Sequence, residues 1–131
     1  MRNRLAFATS LLALLVATQA SSHHSFSAEF DVGKPLTLTG TVKTIEWTNP
    51  HAWLHLTEVD AQGQTVEWSV ELLGVAALVR SGMSPKTVKP GDKLTVTGYG
   101  ARNGTRTVNG SSVVRAETGE KVWSSAPVDT K

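Results

Sequence analysis

Cysteine is absent from the 131 residues. That excludes disulfides, cysteine-type zinc sites, iron–sulfur ligation and thiol nucleophiles together. No apolar run reaches the roughly 18–20 residues that a membrane-spanning helix needs. A dominant charge is lacking too, since 13 Lys+Arg face 11 Asp+Glu. Glycine-rich phosphate loops and the G-x-S-x-G elbow are missing. Without a nucleophile–base arrangement the expectation is that the protein is not an enzyme. What remains is a globular composition, 40% apolar and 18% charged, in a length that suits one domain.

The first 20 residues read as an address. Arg2 and Arg4 form a positive start, and Leu5 to Ala17 an apolar stretch of 13 residues. Thr18-Gln19-Ala20 then offers small residues at −3 and −1 of a cleavage site, the layout of a secretory signal peptide. Cleavage is expected before Ser21 or before His23, with export to the periplasm or beyond and no membrane anchor left afterwards. Loss of Arg2 and Arg4 leaves 11 basic against 11 acidic residues. The basic excess therefore belongs to the leader, and the electrostatic case for nucleic-acid binding goes with it.

The mature chain predicts a small β-barrel. Residues 21–34 are polar and read as an extended leader, with isolated apolar points at Phe26 and Phe30. Leu36, Leu38, Gly40 and Val42 then alternate with polar residues, as in a half-buried strand, and the pattern slips at Thr44-Ile45, where a bulge is expected. Ala52, Leu54 and Leu56 supply the inner set of a second strand, and Val66, Trp68, Val70 and Leu72 that of a third. A three-residue loop over Ala61–Gly63 pairs Leu54 with Val70 and Leu56 with Trp68. Val75, Ala76, Leu78 and Val79 have helical spacing, with Gly82 as terminator. Leu94 and Val96 mark a fourth strand, Gly100 to Ser111 reads as a mobile loop, and Val113 to Glu117 marks a fifth strand. A short strand near Lys121–Trp123 precedes a tail over residues 124–131. The order β-β-β-α-β-β over residues 35–123 is that of an all-β, five-stranded OB-fold-like Greek-key barrel with one short helix. An open β-sandwich is the rival.

All four histidines lie between positions 23 and 55. His51, Trp53 and His55 share the outer face of the second strand. The register sets Ser69 opposite His55 and Glu71 opposite Trp53, with Glu67 diagonal to His55. That face, with Trp47 and Asn49 at its end, is a candidate ligand platform, and it equally suits solvated surface. Trp68 reads as core, and Trp47 and Trp123 as rim aromatics or barrel-end plugs. His51 and His55 stand roughly 13 Å apart on a straight strand, too far to share one ion. His23 and His24 would lie at or near the new N-terminus, where an amine and imidazoles suit Cu(II), and also Ni(II) or Zn(II). His23, His24, His51 and His55 are thus the candidate metal ligands. The same pair suits an ordinary polar leader.

His23-His24-Ser25-Phe26, Thr39-Gly40-Thr41-Val42, Glu46-Trp47-Thr48-Asn49-Pro50-His51 and Lys89-Pro90-Gly91-Asp92 together resemble a family of small secreted Gram-negative proteins known only as a domain of unknown function. The likeness runs from about His23 to Trp123. It implies export, a single domain and both histidine clusters, and it supplies no activity. Two expectations follow: a periplasmic protein that binds Cu(II) through histidines, or a module that binds a protein or small ligand on the outer Trp53 face.

Overall fold

The computed structural model describes residues 25–125. A helical turn, α1 (Phe26–Glu29), leads into the long strand β1 (Phe30–Glu46). β2 (Trp53–Val59), β3 (Thr65–Glu71), α2 (Val75–Arg80), β4 (Lys93–Ala101), β5 (Thr107–Arg115) and β6 (Lys121–Ser124) follow. The sheet order is β3-β2-β1-β4-β5-β6, and a parallel pairing of β3 with β5 closes the first five strands into a barrel. With α2 between β3 and β4, this is OB-fold connectivity. The closing ladder separates it from an open sandwich. Among the described residues, no helix is long and apolar enough to cross a membrane.

The expected β2–β3 register is the observed one: Leu54 faces Val70, Leu56 faces Trp68, His55 faces Ser69 and Trp53 faces Glu71. Its turn is the three-residue loop ending in Gly63, at φ 76°. The Asp60 carboxylate accepts the Gln62 and Gln64 amides, both at 2.9 Å. The β1 bulge falls between Val42 and Thr44, beside its predicted place. This bulge lets β1 pair with β4 through its first part and with β2 through its second.

α2 ends as its sequence requires. Gly82 takes φ 103°, its amide reaches the Val79 carbonyl at 3.2 Å, and the Met83 amide reaches the Leu78 carbonyl at 3.0 Å. This is a Schellman closure, which needs a left-handed residue at that position. Leu78 and Met83 are both buried. Val79, expected on the apolar face, is instead half-exposed, because one short turn of helix presents only Leu78 to the core.

Several boundaries differ from the pattern reading. The leader is not extended throughout, since Phe26–Glu29 are helical, and β1 begins at Phe30, ahead of the expected domain edge at residue 35. Aromatic burial is the cause. Phe30 is buried, and Phe26 stacks on it at 5.7 Å and meets Tyr99 edge-on at 5.9 Å. The expected loop over Gly100–Ser111 shrinks to residues 102–106, and β5 spans Thr107–Arg115 in place of Val113–Glu117. Val108 is fully buried, and tertiary packing overrides the weak strand preference of Gly, Asn and Ser. Val66 and Trp68 are only half-buried. Trp68 packs against the core while its Nε1–H donates to Glu58 Oε1 at 2.8 Å. Trp123 is buried in the core, with no partner for its Nε1–H among the described residues.

Two of the motif segments are fastenings. Val42 and the Lys89–Asp92 turn exchange backbone bonds of 2.8 Å, to Asp92 and from Gly91. The Asp92 carboxylate accepts the Lys89 amide at 3.0 Å and Arg115 Nη1 at 2.8 Å. These bonds hold it below the usual carboxylate range. Asn49 Oδ1 accepts the Val75 amide at 3.1 Å, a donor left open at the start of α2. Asn49→Ala should therefore cost on the order of 0.5–2 kcal/mol, read as a shift in urea midpoint. An unchanged midpoint would show that water replaces the carboxamide at no loss.

Candidate functional site

The β2–β3 pairing sets Trp53 and Glu71 side by side on the outer face of the barrel. α1 and the β4–β5 connection stand across from them. Together they form an open cleft of about 520 Å³, lined among others by Glu29, Trp53, Glu71, Arg102, Asn103 and Thr105. Its far rim is held in place at both ends. The Arg102 amide donates to the Glu29 carbonyl at 2.9 Å. Arg102 Nε donates to the Ser27 carbonyl at 2.7 Å, and its Nη1 lies 3.6 Å from Asp31 Oδ2. At the other end the Ser69 amide donates to the Arg106 carbonyl at 2.9 Å. Between them Asn103 Oδ1 accepts both the amide and the hydroxyl of Thr105.

Glu71 is the most perturbed group of the cleft. Its side chain is 13% exposed. Burial pushes its carboxyl above the usual range and repulsion from Glu29 adds to the shift, against the opposing pull of His51 and a hydrogen bond from Asn109. His51 Nδ1 lies 3.4 Å from Glu71 Oε1 and donates to the Leu72 carbonyl at 2.9 Å. That bond places the proton on Nδ1, so a neutral His51 carries its lone pair on Nε2.

His55 belongs to a second cluster farther along the same face. Its Nε2–H donates to Glu46 Oε1 at 3.0 Å. Its Nδ1 meets the Ser69 hydroxyl at 3.1 Å and lies 3.6 Å from Glu67 Oε1. Lys43 Nζ donates to Glu67 Oε2 at 2.6 Å and holds that carboxyl below its usual range. These contacts form a cross-strand polar ladder over β1, β2 and β3.

A model of a family of unknown function, DUF6152, matches residues 11–110. The chain belongs to that family. No curated protein matches it. Among solved structures it is similar to the second single-stranded DNA-binding protein of Mycobacterium smegmatis, at 12% identity and a TM-score of 0.45, over 74% of this chain and 98% of that one. At that distance the likeness carries no argument about ligand, and the fold rests on strand connectivity.

For this DUF6152 chain the expected site residues divide. Trp53 and Glu71 come together in the cleft, with His51 against Glu71. Ser69 and Glu67 go to the His55 ladder. Both ring nitrogens of His55 are engaged, Nδ1 by the Ser69 hydroxyl and Nε2 by Glu46. Trp47 is half-buried against the core, and Asn49 fastens α2; neither lines the cleft. Among the described residues, no three His, Asp or Glu side chains gather as a metal site. His23 and His24 lie outside the described residues. The sequence pattern does not single out Glu29, Arg102, Asn103 or Thr105, which line the cleft. They are brought to the cleft by α1 and by a connection whose composition suggests only a loop, and the isolated Phe26 and Phe30 were the one available hint.

Glu71 sets a testable cost. A carboxyl with a raised folded-state pKa contributes stability below its unfolded value, near 4.5, and loses it as pH rises through the folded value. At neutral pH the buried charge is therefore a net expense, and Glu71→Gln should raise the melting temperature at pH 7 while giving no gain at pH 4. A lower melting temperature at pH 7 would mean that the contacts to His51 and Asn109 outweigh burial.

Proposed function

We propose that this protein is exported to the periplasm and acts as a non-enzymatic binding protein, with its ligand in the cleft between the Trp53–Glu71 pair and the β4–β5 connection. The observation that carries the reading is a partly buried carboxylate, its carboxyl pushed above the usual range by burial, beside a half-buried aromatic in a cleft with a pre-formed rim. Binding sites characteristically combine an apolar wall, few convergent polar groups and a perturbed titratable residue. The leader features around Arg2, Arg4 and Ala20 support export. The Glu71 carboxylate would repel a phosphate backbone, which argues against nucleic acid as the ligand. The test is an amide and indole NMR titration with a panel of small cations, anions and neutral polar compounds. Shifts should cluster at Trp53, Glu71, Asn103 and Thr105. Shifts confined to other surfaces, or none, would refute the reading.

A second reading is Cu(II) capture by His23 and His24 with His51. The supporting observation is the His51 geometry, an Nδ1–H held by a backbone carbonyl with Nε2 left as the donor atom, the arrangement usual for ligating histidines. His24 stands two positions before Phe26, the first residue of α1, and α1 residues line the cleft that holds Glu71, the neighbour of His51. Calorimetric Cu(II) titration should show tight binding that weakens from pH 7.5 to about 5.5 as imidazoles protonate. His23→Ala or an added N-terminal residue should reduce affinity, and so should His51→Ala. Equal affinities across these proteins would exclude the site.

A further inference from the structure

Building on the cleft reading, we propose that the cleft selects organic cations that carry N–H groups, either a primary alkylammonium or a guanidinium. Four observations lead there. Trp53 is half-buried and lines the cleft wall, and an indole face attracts a cation through its quadrupole. Glu71 stands directly across the ladder from Trp53, so one ligand can meet both ring and carboxylate. Among the described residues that line the cleft the charged side chains are Glu29, Glu71 and Arg102, and the Arg102 guanidinium is turned to Ser27 and Asp31. Finally, an ionised carboxylate offers about four acceptor positions, and His51 and Asn109 occupy at most two of those on Glu71.

The competing chemistries fit less well. An anion would meet the Glu71 carboxylate at close range, while the Arg102 guanidinium is already engaged by Ser27 and Asp31. A neutral apolar ligand would cover Trp53 but would further desolvate an incompletely paired carboxylate, which is unfavourable. A quaternary ammonium could use the ring but could not donate to Glu71, and Trp53 with the buried Phe30 does not make a cage. The Thr105 hydroxyl and Asn103 on the rim suit a ligand with more than one polar end.

The experiment uses the protein expressed from its full reading frame and purified as the cell processes it. The Trp53 indole N–H resonance is assigned by its loss in Trp53→Phe. It is then followed during titration with 1,5-diaminopentane, a Gly-Lys-Gly peptide, tetramethylammonium, 1-pentanol and glutarate. The diamine or the peptide should bind at least tenfold more tightly than pentanol or glutarate. Whichever of the two binds better shows whether the amine is recognised free or on a peptide side chain. Glu71→Gln, expected to fold at least as stably as the parent, should lose at least tenfold in affinity for either amine, and Trp53→Leu should also weaken both. Glutarate or pentanol binding as well as the amines would overturn the cation assignment while leaving the cleft as the site. Tetramethylammonium matching the diamine would overturn the N–H requirement. No response to any probe would overturn the assignment and the cleft reading together.

Discussion

Truncating Leu54 to alanine is expected to cost about 2–5 kcal/mol of stability, and truncating its neighbour Trp53 appreciably less. The two residues are adjacent on β2 and point to opposite faces. Leu54 is wholly buried in the barrel core, paired with Val70 and packed within the cluster that holds Leu56, Leu94 and Val96. Its removal both forfeits transfer energy and leaves a cavity that a closed barrel cannot readily collapse, because the flanking strands are hydrogen-bonded on both sides. Trp53 is the larger residue, so residue size alone would rank the losses the other way. It lines an open cleft, and solvent can occupy the space that truncation leaves. Urea midpoints for Leu54→Ala and Trp53→Ala decide it. A greater loss for Trp53→Ala would mean that the faces of β2 are inverted.

Gly98→Ala should be the most damaging of single-methyl additions. Gly98 pairs with Gly110 at the irregularity of the β4–β5 ladder. A Cβ on Gly98 would fall within the van der Waals envelope of the Asn109 carbonyl oxygen and lie 2.8 Å from Val108 Cγ1. A Cβ on Gly110 would lie 2.8 Å from Val70 Cγ1. The glycine pair therefore sits where β4, β5 and β3 approach to close the barrel. A flexible side chain could yield at small cost, but the backbone of β5 is held on both edges. Overpacking of this kind typically costs 1–3 kcal/mol, and the loss here should reach or exceed the upper end of that range. Gly104→Ala is the control: nothing lies within 4 Å of its added Cβ, and only its positive φ of 76° opposes the change, at about 1 kcal/mol. Equal losses at the two sites would mean that the strands do not meet so closely.

Local pattern determined a large part of this molecule. Period-two alternation fixed the inner residues of β2, and a one-residue slip of β3 would have set apolar side chains against polar ones. The β2–β3 ladder, with Trp53 beside Glu71, was therefore legible, as was the helix stop at Gly82. Long-range decisions were not. Phe26 and Phe30 stand in sequence only as isolated apolar points, yet the stacking of Phe26 on Phe30 and its edge contact with Tyr99 accompany the turn of α1 that carries Glu29 to the cleft. Gly110 falls in the stretch that reads as a mobile loop, yet it pairs with Gly98 in the β4–β5 ladder and packs against Val70 of β3 beside the closing ladder. Asn49 resembled a surface ligand residue until Val75, 26 positions later, was placed against it. In each case the deciding partner lies far along the chain, and only barrel closure brings it near. The sequence by itself determined which face of each strand is apolar, whereas the tertiary structure decided which polar residues of distant segments share one cleft.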